Sequence, residues 1–133
     1  MSWTLVQLHE LLSHCEGWQC TLENDSLLLT NPDGLEAYLA VAGEQIIVET
    51  LLFPATQVAD TAGLNDTILR THQLFPLTTV GISHIDDTDY YIAFGSLASG
   101  SKKESVIIEI DTLFRNTEAF LDLYQDYLQG VEV

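Results

Sequence analysis

The feature that most constrains this fold is the place where the spacing of apolar residues switches between a helical and an extended period. From Thr4 to Cys15, the residues Leu5, Leu8, Leu12 and Cys15 recur at helical spacing and Leu11 broadens the stripe, which predicts a helix with one buried face. Ser2 or Thr4 can cap its start, and Gly17 stands beyond its end. At Trp18 the period drops to two: Trp18, Cys20 and Leu22 alternate with Gln19, Thr21 and Glu23, all three apolar members expected in the core. Asn24-Asp25 then turns the chain into Leu27-Leu28-Leu29-Thr30, and so short a connection requires antiparallel pairing. Asn31-Pro32-Asp33-Gly34 has the chemistry of a type I turn. A third strand from Leu35 to Val41 and a fourth from Gln45 to Phe53, stopped by Pro54, complete a meander.

The helical period returns after Asp60 or Thr61, either of which can cap a helix running to about His72 with Leu64, Ile68 and Leu69 facing inward. Pro76 forbids its continuation. A hairpin follows, with Val80, Ile82 and His84 on one arm, the acidic turn Asp86-Asp87-Thr88-Asp89, and Tyr90 to Leu97 on the other. Ser101-Lys102-Lys103-Glu104 has the spacing of a capping box. Val106, Ile110, Leu113, Thr117, Phe120, Tyr124 and Leu128 keep helical spacing from there to Gly130, predicting a helix over Lys102 to Gln129. The expected architecture is α+β in the order α-ββββ-α-ββ-α. It is a single domain over residues 1–133, with an antiparallel sheet covered by helices on one face. The second sheet face is then either solvated or covered by a partner.

Charge narrows the function classes. Twenty Asp and Glu against four Lys and Arg give a formal −16 in 133 residues. A field of one sign opposes phosphate backbones and anionic lipid and favours basic partners. Nucleic acid and membrane surfaces are therefore not expected partners. The start, Met1-Ser2-Trp3-Thr4, lacks a basic region followed by an apolar run, and no apolar stretch reaches the roughly 20 residues of a membrane span. A cytoplasmic location is expected, with Cys15 and Cys20 as buried free thiols in a reducing compartment.

No phosphate-binding loop, G-x-G-x-x-G, G-x-S-x-G, H-E-x-x-H or C-x-x-C occurs. His9 and His14 are five apart and point to different sides of a helix. Cys15 and its neighbour His14 point about 100° apart and cannot act as a nucleophile and its base. Asp86, Asp87 and Asp89 gather three carboxylates without the glycine and distal glutamate of a calcium loop. No catalytic residue, cofactor or metal is expected, and an enzyme is not. The third helix offers the better surface: Phe114, Leu121 and Tyr127 lie off its main stripe and widen the apolar arc, and Tyr91 and Tyr38 can extend it over the sheet. These five residues are the candidate protein interface.

Three segments carry a resemblance: Leu64-Asn65-Asp66-Thr67-Ile68-Leu69-Arg70-Thr71-His72, then Phe75-Pro76-Leu77-Thr78-Thr79-Val80-Gly81-Ile82, then Tyr91-Ile92-Ala93-Phe94-Gly95-Ser96-Leu97. Together they resemble the YjfI-like family of small bacterial proteins of unknown function, and the order of elements resembles that of type III secretion chaperones. The first resemblance implies no activity and no site residue, but implies a phage-shock-protein A-like coiled-coil protein as a partner. The second implies binding of segments of other proteins, and a homodimer. The expected function is a chaperone-like or adaptor domain holding a basic or amphipathic segment against its sheet or third helix. The alternatives are a small-molecule or enzymatic site near His72 and His84, and an acidic surface that imitates nucleic acid.

Overall fold

Six antiparallel strands form one sheet in the order β1-β2-β3-β4-β6-β5, seen in a computed structural model that describes residues 2–129. The strands are β1 (Gln19–Glu23), β2 (Ser26–Thr30), β3 (Glu36–Ala42), β4 (Gln45–Pro54), β5 (Thr79–Ile85) and β6 (Thr88–Ala98). The helices are α1 (Leu5–Ser13), α2 (Thr61–Thr71) and α3 (Lys103–Tyr124). This is the expected order. It follows from the turns: Asn24 at φ 43°, and Asp86 and Asp87 at φ 49° and 64°, adopt the left-handed region that tight hairpins require. Gly34 does so at φ 86°, donating its amide to the Asn31 carbonyl, while Asn31 Oδ1 accepts from the amides of Asp33 and Leu35.

The register puts Leu27 opposite Leu39, Leu39 opposite Val48, and Val48 opposite Gly95, so one sheet face carries a continuous apolar row. All three helices pack there. Leu8 and Leu12 of α1, Leu64 and Ile68 of α2, and Val106, Ile110, Leu113 and Phe120 of α3 share one cluster with Leu27, Leu29, Val48, Tyr91 and Ala93. Phe120 makes an edge contact with Phe75 at 4.5 Å and stacks on Tyr124 at 5.6 Å. Thr4 and Gln7 form a reciprocal capping box at the start of α1, and Asp60 caps α2 through the Gly63 amide.

Four details depart from the sequence reading. Ser101 does not cap α3: Lys102 is the N-cap, with no side-chain bond, and the Ser101 carbonyl instead accepts the Trp3 indole N–H at 2.7 Å. Helix α3 stops at Tyr124, not Gln129. Beyond the short 3-10 turn Gln125–Tyr127, the chain pairs with residues 57–59, through Ala59 N–H to the Tyr127 carbonyl and Gln129 N–H to the Gln57 carbonyl. A fixed partner for those amides outweighs another helical turn; the expected stop at Gly130 lies outside the described residues. Leu69 points to solvent, because Leu64 and Ile68 already meet the core and Leu69 sits about 100° further round the helix. Leu22 is also exposed, since α1 ends before it can cover that end of the edge strand β1.

Candidate interaction face

Strand alternation sends every second side chain to the sheet face opposite the helices. Across it runs the row Thr21, Leu28, Tyr38, Glu49, Phe94 and Thr79, each residue directly opposite the next. Beside it lie Ile47 opposite Ser96, and Leu51 opposite Ile92. Tyr38 and Leu51 are exposed, and Leu28, Ile47 and Phe94 are half-buried. A shallow hollow of about 390 Å³ opens between Ile47, Glu49, Ile92 and Phe94, over Gly81. Phe94 leans across Gly81, where a Cβ would meet its ring at 3.4 Å.

The electrostatics of this face are one-sided. Glu23, Glu36 and Glu49 project from it, while none of the four Lys and Arg residues falls on a strand. Arg70 and Arg115 each pair with a carboxylate one turn back on their own helices, Asp66 at 2.8 Å and Asp111 at 2.9 Å. Lys102 and Lys103 sit at the start of α3 beside Trp3, on the rim of a separate hollow of about 530 Å³. An apolar strip between carboxylates, with the cations elsewhere, is suited to a segment that is apolar on one side and basic on the other.

The five interface residues expected from sequence are not brought together. Tyr38 lies on the open face. Tyr91 is fully buried on the covered face, its hydroxyl donating to Asn65 Oδ1 at 2.6 Å, with burial raising its pKa. Phe114 packs on Trp18, ring centroids 6.1 Å apart, so the widened arc of α3 covers the tryptophan between α1 and β1. Leu121 is half-buried, and Tyr127 shares a 2.6 Å hydrogen bond with Thr67 that ties the turn after α3 to α2. Leu28, Ile47, Leu51 and Phe94 were missed; alternation within Gln45 to Phe53 separates Ile47 and Leu51 from Ile46 and Val48, and alternation within Tyr90 to Leu97 separates Phe94 from Tyr91 and Ala93, which was the available signal.

His72, His84 and the two cysteines are set apart from one another. His72 Nε2 accepts the Val80 amide, and His84 pairs with Asp89 at 2.7 Å, so the two histidines share no site. Cys15 and Cys20 are free and half-buried, and burial raises both thiols above their ordinary pKa, which suppresses the thiolate. Among the described residues no group of three His, Cys, Asp or Glu side chains is placed to hold a metal, and no helix is long and apolar enough to cross a membrane. Glu109 is different: only 6% exposed, it has one carboxylate oxygen without a partner, and burial raises its pKa.

The family described as "Uncharacterized protein conserved in bacteria (DUF2170)" matches residues 2–128. The chain is 30% identical over 106 residues to the uncharacterized protein YjfI of Escherichia coli (strain K12), covering 79% of this chain and 80% of that one. Two solved structures are similar in fold. The crystal structure of YbjN from E. coli superposes with a TM-score of 0.72 at 15% identity, covering 95% of each chain. A chain of the HopA1-SchA chaperone-effector complex superposes with a TM-score of 0.63 at 14% identity, covering 86% of this chain and 90% of that one. This chain thus shares its fold with YbjN and with a chain of the HopA1-SchA complex.

Proposed function

The chain belongs to the DUF2170 family of bacterial proteins, and from that premise we propose that it is a non-catalytic, chaperone-like adaptor that holds a basic amphipathic segment of another protein on its open sheet face. One observation carries the reading: the strip of Leu28, Tyr38, Ile47, Leu51 and Phe94 lies among Glu36 and Glu49 on a sheet without a Lys or Arg. Among the described residues, helices cover only the other face. Apolar contact would supply affinity, and the carboxylates would steer and select. That a chain of similar fold forms part of a chaperone-effector complex supports the reading. A phage-shock-protein A-like protein is the partner that the family resemblance implies.

The test uses a synthetic strand-length peptide alternating Val with Lys, and the same peptide with Glu for Lys, titrated by fluorescence anisotropy. The Lys peptide is expected to bind and the Glu peptide not. Tyr38→Ala and Glu49→Lys should each weaken binding about tenfold, whereas Glu10→Lys on α1, with the same change in charge, should do far less. Equal losses for Glu49→Lys and Glu10→Lys would reduce the effect to net charge and sink the assignment to this face.

A further inference from the structure

Gly81 stands in the middle of β5, and among the described residues nothing requires a glycine there. Gly34 and Gly43 take a positive φ, but Gly81 does not. The pairing of β5 with β6 runs unbroken from Thr79 to Ile85, so Gly81 marks no bulge. A Cβ on it would meet only Phe94 Cε1, at 3.4 Å, which is ordinary contact. Gly95 is the contrast, because there the Glu109 carboxyl already fills the space. Glycine inside a strand weakens it relative to alanine, through backbone entropy and a missing side chain. With conformation, bulge and crowding set aside, the remaining use of such a glycine is to let something outside the chain come close.

The space over Gly81 has the form of a side-chain pocket. Gly81 pairs with Ile92, which is only 6% exposed and makes the floor of the hollow of about 390 Å³. Ile47 and Phe94 wall it, and Glu49 is the one charged residue on its rim. It is too shallow to enclose a small molecule as a ligand site does, but an aromatic ring can enter it and lie against Phe94. Glu49 favours a Lys or Arg next to that ring in the occupant. We propose that the hollow over Gly81 is the anchor pocket of the open face, receiving one aromatic side chain of the bound basic segment. The claim rests on the reading of the open face as a peptide site and adds which residue of the segment is selected.

The test extends the anisotropy titration of the Val–Lys peptide to a second peptide in which the central Val is Phe. On the parent chain the Phe peptide should bind about tenfold tighter than the Val peptide. Gly81→Val fills the hollow and should erase that gain. Gly81→Ala, which the backbone and Phe94 both accommodate, should melt no lower than the parent and lose part of the gain. Equal affinity of the parent for the two peptides, the full gain retained in Gly81→Val, or a lower melting temperature for Gly81→Ala would each overturn the proposal. So would a Gly81→Val chain whose sedimentation mass differs from that of the parent, because the occupant would then be a second copy. In each of those cases the open-face reading still stands if Tyr38→Ala weakens the Val peptide, whereas a parent chain that binds neither peptide defeats both.

Discussion

Replacing Gly95 with alanine probes the least accommodating contact in the core. Gly95 lies on the covered face of β6, opposite Val48, and the Glu109 carboxyl of α3 occupies the space a side chain would fill. A Cβ there would overlap Glu109 Oε2, sit 3.0 Å from Cδ and approach the Leu77 carbonyl to 3.2 Å. Overpacking of this kind costs about 1–3 kcal/mol, offset by about 0.4–1 kcal/mol from the reduced freedom of the unfolded chain. The net for Gly95→Ala is about 1–2 kcal/mol, or a melting temperature lower by about 3–8 °C for a domain of this size. Glu109→Ala removes a buried oxygen without a partner, a gain of about 1–3 kcal/mol, and loses buried methylenes worth about 0.8 kcal/mol each. The two nearly cancel. In that background the main clash is gone and Gly95→Ala should cost no more than about 0.5 kcal/mol, so the pair should be coupled by about 1 kcal/mol. Glu109→Gln keeps the shape and should not relieve the clash. Urea unfolding of the parent, the single variants and both doubles measures the cycle. Additive effects of Gly95→Ala and Glu109→Ala, within about 0.3–0.5 kcal/mol, would refute the placement of Glu109 against Gly95.

Three further outcomes are expected. Burial raises the pKa of Glu109 in the folded chain, so the folded form holds that proton more tightly than the unfolded form. Relative to Glu109→Gln, the parent should therefore lose stability as pH rises from the ordinary carboxylate range through the raised folded value, and level off above it; parallel curves in chemical denaturation at stepped pH would contradict this. Asp60→Ala removes the cap on the Gly63 amide and should cost about 1 kcal/mol, whereas Asp60→Asn should recover most of it; identical unfolding midpoints for the two variants would discount the cap. The peptide should dissociate from the open face as NaCl rises and the Debye length falls from about 10 Å at 0.1 M to about 3 Å at 1 M; anisotropy unchanged over that range would discount the carboxylates as a source of affinity.

The sequence by itself determined the order of elements and the antiparallel pairing. Those depend on local chemistry: the period of the apolar residues, and residues such as Asn24, Asp86 and Asp87 that tolerate a left-handed backbone. It also determined that the chain is strongly acidic, with twenty Asp and Glu against four Lys and Arg. What it could not rank was competition between distant groups. Ser101 had the spacing of a cap, but Trp3, 98 residues away, binds its carbonyl, and the helix starts without a side-chain cap. Tyr91 and Phe114 have the composition of an interface, yet Asn65 and Trp18 meet them in the interior. Leu69 continues an apolar pattern, yet Leu64 and Ile68 already fill that part of the core. Periodicity states that a side chain is apolar and which way its element turns it. Only the packed structure decides whether anything from this chain is there to cover it, because burial depends on contacts between residues far apart along the sequence.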